Sequence, residues 1–244
     1  MIIKVVNPNT TESMTRLIEA SARAAAGPGT GLVAVSPPMG PASIESHYDE
    51  ALSVPGLLAE ITGGEQADGY VIACFGDPGL DAAREVAPGP VVGIAEAAMR
   101  AATYLGRSFS VVTTLARTVG RAHELVDRYG VRGYCRNVRA CEVPVLDLET
   151  DPQARKRIAE ECRAALEVDG AEVIVLGCAG MAAFCADLAG ELGAPVVDGV
   201  AAAVSVVEGL VRIGLTTSRV GEYARPLDKA YSGALAGFSL VGRA

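Results

Sequence analysis

Two six-residue segments of this chain are near copies of each other. Val71-Ile72-Ala73-Cys74-Phe75-Gly76 and Val175-Leu176-Gly177-Cys178-Ala179-Gly180 both run from aliphatic residues through a cysteine into small residues, with the cysteines 104 positions apart (178 − 74). Pro90-Val91-Val92 returns as Pro195-Val196-Val197 at an offset of 105 (195 − 90), and each copy leads into a glycine- and alanine-rich stretch. Asn9-Thr10 follows the first apolar run, and 104 positions on lies Thr113-Thr114, at the end of the run 109–113. Valine-rich runs and glycine turns are common singly, but three matches at nearly one offset point to a duplicated unit. The period is too long for a solenoid. Two similar halves of about 100 residues each are expected.

Within each half, short apolar runs alternate with helical patterns. Strands are expected at 2–6, 31–35, 70–73, 91–92, 109–113, 138–146 (interrupted by Pro144), 172–176 and 196–197. Between them, a stretch such as 12–26 places Met14, Leu17, Ile18 and Ala22 on one helical stripe, with Thr10 or Thr11 as its cap. Strands alternating with helices make parallel α/β units. Unbroken apolar runs suit strands covered on both faces. The expected fold is α/β, with two similar parallel-sheet domains related by a pseudo-twofold axis and an active site in the cleft between them. The first domain is expected to comprise 1–104 plus 210–244, and the second 105–209. The segment 214–244, outside the repeat, is expected to pack back on the first half.

Half of the 244 residues are apolar and a fifth are charged, which suffices for a sizeable core. A net charge of −8 without any basic run argues against nucleic acid or an anionic membrane as partner. Neither a leader pattern nor an apolar stretch long enough to span a bilayer is visible, so a soluble, cytoplasmic protein is expected. No two of the six cysteines are spaced as Cys-x-x-Cys, and only His47 and His123 are present, so neither a metal site nor a Ser-His-Asp triad is expected. Cys135, Cys141, Cys162 and Cys185 are read as packed, inert thiols, with Cys162 inside a helix over 153–168 and Cys185 five residues into another.

Cys74 and Cys178 differ from these four. Each is expected at the carboxyl end of a buried strand, where ligands bind in open α/β sheets. Each is followed by small residues and then an expected helix, whose free N–H groups lower a thiol's pKa and can hold an oxygen that gains negative charge. Brought together about a pseudo-twofold axis, one sulfur would lie on each face of a small ligand. One could remove a proton from carbon while the other returns one on the opposite face, inverting a stereocentre without a cofactor.

Asn7-Pro8-Asn9-Thr10, Gly40-Pro41-Ala42-Ser43-Ile44-Glu45, the stretch from Val71 to Leu80, and Leu176-Gly177-Cys178-Ala179-Gly180-Met181 together resemble the hydantoin racemase family, which includes allantoin racemases and belongs to the aspartate/glutamate racemase superfamily. The resemblance spans nearly the whole chain. It implies two α/β domains around one active site, a cofactor-independent two-base mechanism with Cys74 and Cys178 as the proton-transfer groups, a small-molecule substrate, no metal, and a homo-oligomer. The amino-acid racemases of the superfamily are less similar, since they carry Cys-Asn-Thr and Cys-Thr-His around their cysteines. Here Phe75-Gly76 and Ala179-Gly180 stand there, and they suit a neutral flat ring better than a zwitterion. Two cysteines disfavour an arylmalonate decarboxylase, which keeps one. A maleate isomerase, another superfamily activity, or a non-catalytic binder of a small cyclic metabolite are the alternatives.

Loss of the C5 proton of a hydantoin puts charge on the C4 oxygen. The backbone N–H groups of Phe75, Gly76, Ala179 and Gly180 are the candidate donors to it. Asn9, Ser43, Thr113 and Thr114 are candidates for the ring's polar edge, each with an alternative role as a cap or turn residue, and Ile44 belongs to the same binding set. His47 and Tyr48 stand where they could touch a 5-substituent or simply lie on a helix surface. Asp77-Pro78 is expected to cap the helix that follows it, and Glu96 to be structural.

Overall fold

The computed structural model describes residues 1–64 and 66–240, so the last four residues of the expected first domain lie outside it. β1 (Ile2–Val6), β2 (Gly31–Val35), β3 (Gly69–Ile72) and β4 (Val91–Gly93) form one sheet, ordered β2-β1-β3-β4. β5 (Phe109–Thr113), β6 (Cys135–Ala140), β7 (Val173–Leu176) and β8 (Val196–Val197) form a second, ordered β6-β5-β7-β8. Every pairing is parallel, and the two orders are identical once the second set is renumbered. The duplication is therefore one of topology as well as of sequence.

The ladders refine the offset. Val6 pairs with Ile72 and Val112 with Leu176. β3 and β7 are thus related by 104 residues (176 − 72), but β1 and β5 by 106 (112 − 6). Asn7, rather than Asn9, occupies the place that Thr113 holds in the second half. The sixth strand starts at Cys135 and stops at Ala140 instead of running to 146. Glu142 takes a left-handed conformation there (φ 52°), and Pro144 has no N–H to give a ladder.

The helices are α1 (Glu12–Ala25), α2 (His47–Thr62), α3 (Leu80–Val86), α4 (Ile94–Leu105), α5 (Val119–Arg128), α6 (Ala154–Glu167), α7 (Cys185–Leu192) and α8 (Gly199–Arg212). In α1, Met14, Ile18 and Ala22 recur every four residues and are the buried face. Thr11 holds the N-cap position but makes no side-chain cap bond. Its hydroxyl donates instead to Ala42 O at 2.7 Å, tying the helix start to the 37–46 loop. Cys185 begins α7 rather than lying within it, because 179–184 coils as a separate 3-10 segment.

One pair of helices joins the halves. α4 follows the first sheet in the chain but packs on β7 of the second, while α8 follows the second sheet and packs on α1, β3 and β4 of the first. Their first turns meet so closely that a Cβ on Gly199 would stand 2.8 Å from Ile94 O. The exchange merges the two interiors. Ala95, Ala98, Met99 and Ala102 of α4 lie in one apolar cluster with Ile72 of the first sheet and with Phe109, Val111 and Val175 of the second. After α8 the chain turns back over α3, where Arg219 donates to Glu85 O at 3.1 Å and Thr216 to Pro88 O at 3.3 Å. Among the described residues, no helix is long and apolar enough to cross a membrane.

Met99 is fully buried at this junction. Met99→Ala removes its side chain from between the two sheets and is expected to cost about 3 kcal/mol. In a urea titration this should appear as a lower midpoint of a single transition, since both halves share the lost contacts.

Candidate functional site

The carboxyl ends of β1, β3, β5 and β7 converge on one cavity of about 190 Å³. Asn9, Ile44, Cys74, Phe75, Gly76, Thr113, Thr114, Cys178 and Ala179 all line it, drawn from both halves. Two candidates do not. Ser43 turns aside to donate to Glu45 Oε2 at 3.0 Å. Gly180 lies behind Cys178, where a Cβ would stand 2.9 Å from Leu148 Cδ1. His47 lines the cavity, whereas Tyr48 is exposed outside it.

Local structure explains these placements. Each thiol follows a strand whose last N–H is caught by the neighbouring strand: Ala73 donates to Val6 O and Gly177 to Val112 O, both at 2.8 Å. Position 177 must be glycine, since a Cβ there would fall 2.9 Å from Thr113 Cα. Asn9 Oδ1 accepts from Thr11 N–H at 2.9 Å, an Asx turn, while its Nδ2 rests on Met14 Sδ at 3.2 Å. Thr113 and Thr118 share a hydroxyl hydrogen bond of 2.9 Å. Ser46, not Ser43, caps α2, accepting from Asp49 N–H at 3.1 Å.

Two expectations about the cysteines need correction. Cys178 does begin a 3-10 segment, but Cys74 opens a turn, and α3 starts only at Leu80. Nor are the thiols acidic. Burial pushes Cys74 up to about 12, with the fields of Cys178, Asp77 and Glu50 adding to the rise and the Gly76 N–H opposing it. Burial likewise pushes Cys178 up to about 11, opposed by the N–H groups of Gly180 and Met181. Desolvating a thiolate outweighs what a few backbone dipoles return. The Gly76 and Gly180 amides thus offset only part of the cost of charging the sulfurs.

Asp77 also departs from expectation. It does not cap α3, whose N-cap is Gly79 in a left-handed conformation (φ 63°). Glu96 is structural, as read: its carboxylate pairs with Arg84 at 2.6 Å.

The charged wall of the cavity was not anticipated. Arg121 of α5 donates through Nη2 to Glu50 Oε1 of α2 at 2.6 Å and to Gly76 O at 2.9 Å, linking the second half to the turn after Cys74. Its Nε is buried without a partner, and burial pushes the Glu50 carboxyl up against the pull of Arg121. Glu45 makes a second link, its Oε1 accepting from Val145 N–H at 2.7 Å. In the sequence these residues sit on two helices and a polar loop; no local motif marks them, and only the fold brings Glu50 of α2 and Arg121 of α5 together. Among the described residues, no group of three or more His, Cys, Asp or Glu side chains could hold a metal ion.

A family model described as Asp/Glu/Hydantoin racemase matches residues 3–207. A hydantoin racemase of Pseudomonas sp. (strain NS671) is 52% identical over 98% of this chain and 97% of its own length. The structure of an allantoin racemase from Klebsiella pneumoniae superposes with a TM-score of 0.96 at 50% identity, covering 98% of this chain and 99% of that one. An allantoin racemase from Pseudomonas fluorescens superposes with a TM-score of 0.92 at 41% identity, covering 96% and 100%.

Because burial raises both cleft thiols above the ordinary value of 9.0, their thiolate fraction should still be climbing well above neutrality. Alkylation of Cys74 and Cys178 by iodoacetamide in the ligand-free protein is expected to accelerate about tenfold per pH unit between roughly pH 7 and pH 10. Peptide mass spectrometry of timed samples would read each rate, and a plateau near neutrality at either cysteine would contradict the burial argument.

Proposed function

The chain belongs to the Asp/Glu/hydantoin racemase family, and from that premise we propose that it racemises 5-substituted hydantoins, with allantoin, a 5-ureido hydantoin, as a specific candidate. One observation carries the reading: two cysteines at equivalent strand ends line a single cavity with the volume of a small ring.

In this reading one cysteine is thiolate and the other thiol in each turnover. The thiolate takes the C5 proton, the C5–H bonding pair moves into the ring, and charge builds on the C4 oxygen. The thiol on the opposite face then gives its proton to C5. A thiolate whose conjugate acid is raised by burial is a strong base, which suits a carbon acid. The counterweight is its scarcity at neutral pH. Two facing thiolates repel, so the titration belongs to the pair rather than to either residue. Phe75 and Ala179 line the cavity, and their N–H groups are the donors to the C4 oxygen in this reading. Asn9, Thr113 and Thr114 stand along the cavity for the ring's other polar atoms. A cytoplasmic homo-oligomer belongs to the same reading.

Optical rotation of enantiopure 5-substituted hydantoins, allantoin and L-glutamate tests the substrate class. Decay of rotation is expected for hydantoins or allantoin; decay for glutamate alone would overturn the assignment. Cys74→Ser and Cys178→Ser should each abolish racemisation, because serine is far too weak a base. In D2O each variant should still exchange the C5 proton of one enantiomer in preference to the other, with opposite preferences. Full racemase activity in either variant would remove that cysteine from the mechanism.

A further inference from the structure

Behind Cys74 stands a carboxylate that does not line the cleft. Asp77 is 1% exposed. Its Oδ1 accepts from Ala95 N–H at 3.1 Å, and its Oδ2 accepts from Glu96 N–H at 2.9 Å and from the Tyr129 hydroxyl at 2.5 Å. One side chain therefore closes the first turn of α4 and binds the end of α5. Its own N–H donates to Cys74 O at 2.9 Å, closing the turn that carries the thiol. The backbone at Asp77 is left-handed (φ 45°), a conformation uncommon for non-glycine residues and one that aspartate adopts more readily than most. Gly93 supplies the space, since a methyl group there would overlap the carboxylate. Burial pushes the carboxyl up to about 7 against the three donors that hold it down. A helix cap alone requires neither a left-handed residue nor a buried ionisable group; a surface side chain supplies it.

The second half provides the comparison. Met181, 104 positions on (181 − 77), makes the same turn: its N–H donates to Cys178 O at 3.1 Å. Met181 is fully buried in an apolar cluster with Leu148, Leu176 and Leu188. α8 is capped separately by Asp198, which accepts from Val200 N–H at 2.8 Å. Packing anchors the turn of Cys178, while hydrogen bonds to two other helices anchor the turn of Cys74.

We propose that Asp77 is the positioning residue for Cys74: it pins the thiol-bearing turn to α4 and α5, and so sets the sulfur's place opposite Cys178. This rests on reading Cys74 as an acid–base group. The negative field of Asp77 also reaches the Cys74 thiol and favours its protonated form.

The test uses Asp77→Asn, Tyr129→Phe and Cys74→Ser, with two readouts: steady-state racemisation, and iodoacetamide labelling of Cys74 and Cys178 resolved by peptide mass. An amide at position 77 keeps one acceptor for α4 but loses the second acceptor and the charge. A reacting atom displaced by even an ångström is costly, so in Asp77→Asn kcat should fall at least about tenfold with KM within about twofold. Cys74 should label several-fold faster once the charge behind it is gone, while Cys178 labels as in the wild type. Tyr129→Phe, which leaves the cap of α4 intact, should lower kcat in the same direction by about threefold. Wild-type kcat in both variants would overturn the proposal. So would equal acceleration of both cysteines, which would mark a general loosening rather than a loss of position. Full activity in Cys74→Ser would instead sink the reading beneath it, whatever the Asp77 variant does.

Discussion

The reciprocal packing of α4 and α8 is the constraint on which the rest of the molecule depends. α4 packs on β7 of the second sheet as well as on its own, and α8 packs on β3 and β4 of the first, so neither half keeps a complete interior if they separate. Hydrophobic burial is worth roughly 25 cal/mol per Å², and here much of it is spent between halves rather than within them. The cleft consequently lies beside an apolar cluster that both halves share. The closeness of Gly199 to Ile94 shows how little tolerance the junction of the two helices has.

Both thiols are partly withdrawn from solvent at the base of this cleft, and the chemistry follows. Desolvation makes each thiolate a stronger base and at the same time rarer. Backbone N–H groups directed at the sulfurs recover part of the loss without bringing in a full charge. The charged pair Glu50–Arg121 and the Glu45–Val145 bond lie along the cavity wall and tie the two halves together there.

The topology was legible because duplication leaves a sequence trace: two cysteine motifs at one offset fixed both the number of sheets and their likeness. Cys74, Cys178 and most of the lining fell out of the same pattern, since strand ends are where such sheets bind ligands. What was not legible depends on contacts between distant segments. Asp77-Pro78 reads as a cap for the next helix, and only the fold reveals that its carboxylate reaches α4, in a space that Gly93 leaves open. Glu50 and Arg121 look like any solvated helix residues until α2 and α5 meet. The slip of β1 against β5 was hidden because Asn9-Thr10 and Thr113-Thr114 are both short polar pairs, and register is written in the ladder rather than in the residues. Thiol acidity was misjudged for a related reason: a helix start can be read locally, but depth of burial cannot.

The slip of β1 and the contrast between Asp77 and Met181 leave the halves unequal, so the surroundings of the two thiols differ. Two mirror-image substrates have the same free energy in water, which fixes their interconversion constant at one. Whatever handedness the protein builds into its walls, the ratio kcat/KM must therefore be the same in both directions. The inequality of the halves can surface only as paired changes: an enantiomer that is held more tightly must be turned over more slowly in proportion. An uneven duplication thus sets how tightly each enantiomer is held and how fast it is turned over, and has no influence on where the mixture comes to rest.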